Sequence, residues 1–400
     1  MIATIQPGKA RGAVSAPPSK SVAHRALLCG ALSGQSRVLG VSPSEDVTAT
    51  VSCLRALGAK VQQDMDAVSL GGLEVFSARS TATLCCRESG STLRFLLPLC
   101  MLRGKPVTLT GSKRLLQRPL GIYREIAEKQ GIFWEQTQDS VTVCGRLKAG
   151  SFVLPGDVSS QFITGLMYAL PLLEEDSTLE ITGSFESESY IDLTLAVLAD
   201  FGIAISREGR LFSIPGKQRP IGREYTVEGD CSNAAFLEAL NVLGGQVLLQ
   251  GLSEHTVQGD RVYKQMFARL EQGEKEFDLS DCPDLAPVLF ALAATKGGGV
   301  FTGTKRLRLK ESDRAAAMAQ ELHKFGIPVV VEENRVVVQP GVLQTPAQAL
   351  SGHNDHRIVM ALSLLCTLTG GSIEGAEAVN KSFPDFFQKL RHLQIGVTEL

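Results

Sequence analysis

The chain has 400 residues, and its 40 lysines and arginines against 42 aspartates and glutamates give a formal net charge of -2. This length is enough for two or three domains. The balanced charge argues against a general nucleic-acid-binding protein, which usually carries a basic excess. Hydrophobic residues make up 44% of the chain, which excludes a disordered polypeptide. No uncharged apolar run is long enough to span a bilayer, and the first residues do not resemble a secretory signal. We therefore expect a cytoplasmic protein with no membrane association.

Along the chain, segments typical of the end of a helix are followed by a glycine and then by an apolar, strand-like segment. The pattern recurs about every seventy residues, with one interval of about fifty, which indicates an internal repeat with one shortened unit. A glycine directly after a helix adopts the left-handed backbone that ends the helix, because it has no Cβ to clash. The predicted helix-ending glycines are Gly58, Gly131, Gly202, Gly273, Gly326 and Gly396.

A second pattern with the same spacing is a cluster of small polar residues that opens an apolar helix. The helix bodies 161–173, 285–295 and 358–369 carry no charge, and a helix that is apolar on all sides must be buried. Each repeat therefore predicts strands, one buried helix and one more polar helix. Six repeats predict two domains of three repeats each. The residues that mark the six helix starts are Ser19, Ser89, Ser159, Ser232, Asp284 and Asp355.

Several of these helix starts also contain lysine or arginine, as in P-P-S-K-S-V-A-H-R and N-D-H-R. The first turn of a helix has unpaired N–H groups and the positive end of the helix dipole, so it attracts anions and repels cations. One interpretation is that residues such as Ser19, Ser89, Ser232 and Asp284 are only helix N-caps. Capping requires no cation, so the recurring cations favour a cleft that binds anionic ligands.

A series of motifs now gives a specific resemblance. They run from P-S-K-S-V-A-H-R-A-L-L near the N-terminus, through G-S-x-x-L-x-x-R-P-L, V-S-S-Q-F-I-T-G-L, S-Y-I-D-L-T, G-D-C-S-N-A-A-F, P-D-L-A-P, L-K-E-S-D-R and N-D-H-R, to K-S-F-P-D-F-F. In these motifs and in their order, which covers nearly the whole chain, the sequence resembles the 5-enolpyruvylshikimate-3-phosphate (EPSP) synthase family.

The resemblance implies an α/β fold, the two-domain inverse α/β barrel of enolpyruvyl transferases, with six βαβαββ repeats and three repeats in each domain. It implies that residues 1–18 and 226–400 form one discontinuous domain and that residues 19–225 form an inserted domain. It also implies an active site in the cleft between the domains, which closes when substrates bind.

The resemblance further implies transfer of the enolpyruvyl group of phosphoenolpyruvate to the 5-hydroxyl of shikimate 3-phosphate, with release of phosphate. This is a step of the shikimate pathway to chorismate and the aromatic amino acids. The sequence has no Walker A loop and no G-x-G-x-x-G motif, so we expect no cofactor, and we expect no metal. Both substrates carry a phosphate and a carboxylate, so converging arginines and lysines are the side chains that such a site needs.

The family motifs assign the site residues position by position. Asp284 is the candidate to accept the 5-hydroxyl proton. The candidates for protonating the methylene carbon of phosphoenolpyruvate and for returning the proton are Lys20, Glu311 and His356, and these alternatives stay open. The resemblance assigns shikimate 3-phosphate to Lys20, Ser21, Arg25, Ser159, Ser160, Gln161, Ser187, Tyr190, Asp284 and Lys310, and phosphoenolpyruvate to Lys20, Gly90, Arg118, Gln161, Arg314, Arg357 and Lys381.

Two other functions are weighed against this one. The sister enzymes that use UDP-N-acetylglucosamine as acceptor carry a cysteine shortly before an Arg-Pro pair, and no cysteine stands in G-S-K-R-L-L-Q before Arg118. The other alternative is a non-enzymatic repeat or anion-binding protein, or a nucleic-acid-binding module. Such a protein would show a basic face with stacking aromatics, and aromatics are only 6% of the chain. His353 and His356 lack a third ligand at zinc spacing. We expect a monomer whose partners are its small-molecule substrates.

Overall fold

The computed structural model of the chain describes residues 1–76 and 80–400. Helices are interspersed with strands throughout these ranges. The α-helices are α1 (Lys20–Leu32), α2 (Glu45–Leu57), α3 (Gly90–Cys100), α4 (Lys113–Gln117), α5 (Gly121–Lys129), α6 (Ser160–Ala169), α7 (Glu188–Asp200), α8 (Cys231–Val242), α9 (Tyr263–Glu271), α10 (Ala286–Thr295), α11 (Arg314–Lys324), α12 (His356–Thr369) and α13 (Phe386–His392).

The β-strands are short. They are β1 (Ile2–Ile5), β2 (Arg11–Ser15), β3 (Ser36–Leu39), β4 (Lys60–Asp64), β5 (Ala67–Gly71), β6 (Ala82–Cys85), β7 (Val107–Thr110), β8 (Phe133–Gln136), β9 (Ser140–Cys144), β10 (Ser151–Pro155), β11 (Ser177–Thr182), β12 (Ser206–Glu208), β13 (Leu211–Ile214), β14 (Glu224–Thr226), β15 (Gln246–Gln250), β16 (Glu276–Asp278), β17 (Gly299–Thr302), β18 (Val329–Val331), β19 (Arg335–Val338), β20 (Leu350–Ser351), β21 (Gly371–Glu374) and β22 (Val397–Glu399).

The chain forms two compact units. One comprises Pro18–Val227, and the other comprises Met1–Pro17 together with Glu228–Leu400. Each unit has its own hydrophobic core, and the buried helices supply much of it. In α10, for example, every residue from Ala286 to Ala294 is buried, as the charge-free segment predicts. Among the described helices, none is both long enough and apolar enough to cross a membrane.

In the described part of Pro18–Val227, the strands form three four-stranded sheets. Their orders are β6-β7-β9-β8, β10-β11-β13-β12 and β14-β3-β5-β4. In each sheet the first two strands are parallel and the hairpin that follows is antiparallel. The first two sheets are each built from a continuous β-α-β-α-β-β segment, and in the first of them the second helix is divided into α4 and α5. In the third, β14 at the far end of the unit supplies the first strand.

The other unit repeats this arrangement with two variations. The sheet β16-β17-β19-β18 is again continuous in sequence, whereas the sheet β20-β21-β1-β22 takes one of its strands from the start of the chain. The third sheet, β15-β2, is a parallel pair, and within the described residues it has no hairpin. This missing hairpin accounts for the single short interval in the sequence repeat. The predicted α/β fold of six repeats is confirmed.

The predicted helix stops are confirmed with one exception. Gly396 does not have a positive φ, and the left-handed residue after α13 is Gln394, with a φ of 67°. The prediction at Gly396 is therefore wrong, because the turn uses the second residue after the helix. The other five glycines have a positive φ: Gly58 at 108°, Gly131 at 68°, Gly202 at 79°, Gly273 at 92° and Gly326 at 79°.

Helix capping explains some of the repeated polar residues and not others. The hydroxyls of Ser19, Ser89 and Ser159 accept hydrogen bonds from backbone amides two or three residues later, so these serines are N-caps. Capping is the wrong explanation for Ser232, because Asp230 occupies the cap of α8. The polar side chains at the helix starts are therefore divided between capping and other contacts.

We predict that Gly165→Ala destabilises the Pro18–Val227 unit. A Cβ at Gly165 in α6 would overlap both the Tyr123 hydroxyl and the Arg94 carbonyl, which are hydrogen-bonded to each other at 2.8 Å. Overpacking of this kind costs about 1–3 kcal/mol, so the thermal unfolding midpoint should fall. The matched control is Gly121→Ala in α5, where no atom lies within 4 Å of the added Cβ. An equal midpoint in the two variants would contradict the close packing of α6.

Candidate functional site

The first candidate residues of the Pro18–Val227 unit lie at the start of α1. Lys20 is the first residue of this helix, and its Nζ lies 2.9 Å from Oδ2 of Asp46 in the first turn of α2. A lysine at a helix N-terminus is unfavourable unless an anion compensates it. Asp46 supplies such an anion here, so the protein itself holds the ammonium group at the helix start.

Arg25 is buried one turn further along α1. Its guanidinium donates to the carbonyl of Ser21 at 2.8 Å, to the carbonyl of Tyr190 at 3.0 Å and to Oγ1 of Thr194 at 2.9 Å. It also lies over the ring of Phe95. Burial lowers the pKa of Arg25, but an arginine keeps its charge at neutral pH. The structure thus brings together Ser21, Arg25 and Tyr190, three of the predicted shikimate 3-phosphate ligands.

Two guanidinium groups meet at the first residue of α3. A Cβ on Gly90 would lie 2.8 Å from Nη1 of Arg118 and 3.2 Å from Nη1 of Arg94. Arg94 Nη1 donates to Oε1 of Gln161 at 2.7 Å, and Gln161 Nε2 donates to Oγ of Ser91 at 3.1 Å. Gly90, Arg118 and Gln161 are thereby brought together. Two cations at the positive end of a helix form a strong anion-binding arrangement.

The predicted serines of this unit lie at two other helix starts. Ser159 caps α6, and Ser160 is its first residue and is buried. Ser187 precedes α7 and has a φ of 56°, a left-handed backbone that is unfavourable for a residue with a Cβ. Such backbone strain is common at ligand-binding sites.

In the second unit the central group is the carboxylate of Asp284. Its Oδ1 accepts from Nη1 of Arg314 at 2.8 Å and from Nζ of Lys310 at 3.1 Å, and its Oδ2 accepts from Nη2 of Arg357 at 2.8 Å. Leu285, not Asp284, holds the cap position of α10. The N-cap interpretation of Asp284 is therefore wrong, since its side chain binds three cations.

Arg314 links three carboxylates in the same unit. Its side chain is only 1% exposed, and besides Asp284 it contacts Oδ2 of Asp355 through Nε at 2.9 Å and Oε2 of Glu311 through Nη2 at 2.8 Å. Asp355 also caps α12, because its Oδ1 accepts from the amide of Arg357. Arg314 is thus held by charge-assisted hydrogen bonds to carboxylates from three separate positions in the chain.

The electrostatics fix the charge states in this cluster. Burial alone would raise the pKa of Asp284, but Arg357, Lys310 and Arg314 outweigh it and hold that pKa well below its usual value. Burial would also raise the pKa of Asp355, but the positive charge of Arg314 outweighs burial and the pKa is lowered. For Lys310, burial lowers the pKa despite the attraction of Asp284. Asp284 is consequently ionised and, while its cations surround it, a weak proton acceptor.

The remaining predicted residues of this unit lie at and near the start of α12. His356 is buried, with Nδ1 3.8 Å from Oδ1 of Asp355. Arg357 donates to the hydroxyl of Ser232 as well as to Asp284. Lys381 Nζ donates to the carbonyl of Asn354 at 2.5 Å. The Asp284 cluster and the start of α12 therefore bring the predicted residues of this unit together.

Four further residues belong to these clusters although the family motifs assigned them no ligand. Asp355 and Ser232 mark helix starts in the repeat, so the sequence located them but not their arginine partners. Arg94 stands out in sequence only as a cation after a helix start. Asp46 carries no sequence signal beyond its place at the start of α2.

Comparisons with known proteins agree with this description. The family model for EPSP synthase (3-phosphoshikimate 1-carboxyvinyltransferase) matches residues 5–390. The chain belongs to the EPSP synthase family. It is 39% identical to the 3-phosphoshikimate 1-carboxyvinyltransferase of Clostridium kluyveri, over 98% of this chain and 96% of that protein. It is 38% identical to the protein of the same name in Clostridium acetobutylicum, over 99% and 98%.

Solved structures support the fold of this EPSP synthase family member. An EPSP synthase from Acinetobacter baumannii matches with a TM-score of 0.78 at 22% identity and covers 100% of both chains. The enolpyruvyl transferase NikO from Streptomyces tendae matches with a TM-score of 0.79 at 15% identity, over 99% of this chain and 98% of that one. Similar folds at such low identities show that the architecture tolerates wide sequence change.

We predict that Asp355→Asn lowers the free energy of unfolding by about 3 kcal/mol at pH 7, because Arg314 stays buried with one carboxylate fewer. Asparagine is also a good N-cap, so the cap of α12 is retained. Urea unfolding measures the effect. The matched control is Asp313→Asn at the exposed cap of α11, where we expect a change below about 0.5 kcal/mol.

The pH dependence of unfolding tests the same ion pair through wild type and Asp355→Asn. Because the native pKa of Asp355 is lowered, its stabilising contribution is complete above the unfolded value of about 3.9 and is lost as the pH falls through the native pKa. The difference between wild type and Asp355→Asn should therefore narrow below about pH 4. A difference that stays constant down to pH 2 would contradict the ion pair as its cause.

Proposed function

We propose that this chain transfers the enolpyruvyl group of phosphoenolpyruvate to the 5-hydroxyl of shikimate 3-phosphate and releases phosphate, with binding residues contributed by both units. The observation that carries the proposal is the full-length similarity to 3-phosphoshikimate 1-carboxyvinyltransferases. The cationic helix starts of each unit fit substrates that carry a phosphate and a carboxylate.

For shikimate 3-phosphate, the proposed ligands from the first unit are arranged around α1, α6 and α7. The buried Arg25 ties α1 to α7, so that Ser21 and Tyr190 are held next to each other. Ser159 and Ser160 lie at the N-terminus of α6, where amide groups favour a phosphate. Lys20, Gln161, Ser187, Asp284 and Lys310 complete the proposed set.

For phosphoenolpyruvate, Gly90 and Arg118 supply one end of the proposed site. A Cβ at Gly90 would displace the Arg118 guanidinium, and its absence leaves the α3 amides open to an anion. Arg314, Arg357 and Lys381 supply cations from the second unit. Lys20 and Gln161 are shared between the two substrates.

The reaction is an addition followed by an elimination. The 5-hydroxyl oxygen attacks C2 of phosphoenolpyruvate while its proton passes to Asp284, and an acid adds a proton to the methylene carbon. Loss of a methyl proton and of phosphate then restores the double bond. Lys20, Glu311 and His356 are the candidates for the acid and for proton return.

The negative charge of the bound substrates raises the basicity of Asp284, the proposed proton acceptor. In the structure three cations lower the pKa of this carboxyl. When anionic substrates bind Arg314, Arg357 and Lys310, they offset part of that positive field, so the pKa of Asp284 rises toward its usual value. The carboxylate becomes a stronger base only when the substrates are in place.

The decisive experiment is phosphate release measured with each substrate alone and with both together. We expect turnover only when shikimate 3-phosphate and phosphoenolpyruvate are both present. Release that proceeds with UDP-N-acetylglucosamine in place of shikimate 3-phosphate would instead support the sister enzyme. Filter binding to oligonucleotides at physiological salt tests the non-enzymatic alternative.

We predict that Lys20→Ala and Arg118→Ala each abolish most turnover, because each removes a cation proposed to hold phosphoenolpyruvate. Far-ultraviolet circular dichroism should be unchanged, since neither residue is part of the apolar core. Arg124→Ala on α5 is the control. The Arg124 side chain is 59% exposed, and among the described residues its one ion pair is with Glu128. Near-normal turnover in either site variant would contradict its assignment.

A monomeric state and a cytoplasmic location stay predictions. Sedimentation equilibrium at assay concentration measures the first, and fractionation of the source cells measures the second. A stable dimer would contradict the first prediction.

A further inference from the structure

The turn that leads into α12 has an unusual backbone. His353 and Asn354 both have a positive φ, 48° and 51°, and the amide of Asp355 donates to the carbonyl of Gly352 at 2.9 Å. Two successive left-handed residues with side chains are unfavourable, so surrounding contacts must hold them in place. Gly352 is itself constrained, since a Cβ there would lie 2.6 Å from Val359.

A buried carboxylate on a neighbouring helix supplies such contacts. Glu321 in α11 has a side chain that is 0% exposed, and it accepts from the amide of Ser351 at 2.9 Å and lies 2.9 Å from Nε2 of His353. Its third partner is Lys324, at 2.9 Å on the same helix. Burial opposes ionisation of Glu321, but these partners prevail and lower its pKa. Glu321 therefore contacts both the strand before the turn, through Ser351, and the turn itself, through His353.

Residues 352–355 also position several of the proposed ligands. The carbonyl of Asn354 accepts a hydrogen bond from Lys381, Asp355 pairs with Arg314, and Arg357 is the second residue of the helix that follows. A shift of the turn would move all of these groups together. Misplacing binding groups by about 1 Å can cost about a hundredfold in rate.

We propose that Glu321 is a positioning residue for phosphoenolpyruvate binding, which acts by fixing the left-handed turn 352–355. This inference rests on the proposed function, in which Arg314, Arg357 and Lys381 bind that substrate. Glu321 itself is buried behind the turn. None of the hydrogen bonds and ion pairs described above joins Glu321 to these three cations.

The main test is the steady-state kinetics of Glu321→Gln. We expect the KM for phosphoenolpyruvate to rise about tenfold or more, with a change below about twofold in the KM for shikimate 3-phosphate. Lys324→Ala is the matched control, because it removes the partner that does not touch the turn, and it should leave both KM values unchanged. Equal rises in the two KM values would overturn the inference in favour of a general structural defect.

A second pair of variants separates backbone geometry from side-chain loss and does not disturb the buried site. His353 is 22% exposed, so His353→Ala and His353→Gly should both fold. Both lose the contact with Glu321, but only glycine adopts a positive φ without strain. We expect His353→Ala to raise the KM for phosphoenolpyruvate at least about threefold above that of His353→Gly. Equal values would overturn the inference. His323→Ala, on the exposed side of α11, is the histidine control.

Arg357→Ala serves as the reference for the proposed site. If it raises the KM for phosphoenolpyruvate while Glu321→Gln and His353→Ala do not, the positioning role is wrong and the site assignment stands. If Arg357→Ala leaves this KM unchanged, the site assignment is wrong and the inference falls with it.

Discussion

A guanidinium group buried away from water constrains the unit formed by Met1–Pro17 and Glu228–Leu400. Arg314 can remain at 1% exposure only because carboxylates from separate segments surround it. Asp284 precedes α10, Glu311 precedes α11 and Asp355 caps α12. The starts of these three helices are thus fixed with respect to one charge, and every proposed ligand in this unit lies on or beside one of them.

In the Pro18–Val227 unit, the cations are also held by polar side chains of the protein, but the partners differ. Lys20 rests on Asp46, and Arg94 donates to the side chain of Gln161. In both units, acids and amides of the protein hold the cations in position before any substrate arrives. Preorganised cations reduce the entropy lost on binding, and the matching acids explain how a chain with a net charge of -2 can bind strongly anionic ligands.

The architecture follows from the sequence because its causes are local. Charge-free helix bodies, helix-ending glycines and a constant spacing of units are all read from short windows. The family motifs carry the proposed site residues. The sequence could not show that Asp284 pairs with Arg314, Lys310 and Arg357, because those contacts join residues far apart in the chain. Nor could it show Gln394 in the left-handed position, since the pattern favours the nearest glycine. Asp46 was missed for a related reason: a carboxylate at the start of α2 is indistinguishable from one that merely favours the helix dipole.

The borrowed strands have a consequence for the order of events during synthesis. The sheet β14-β3-β5-β4 can close as soon as residue 226 has left the ribosome, so the Pro18–Val227 unit can complete its hydrogen bonding while the chain is still growing. The sheet β20-β21-β1-β22 joins residues 2–5 to residues 371–374 and 397–399. β1 is synthesised well before β21 and β22, so it has no partner strand in this sheet until those residues have been made. An exposed strand edge of this kind is vulnerable to pairing with a foreign chain, and the brevity of β1, only four residues, limits that exposure.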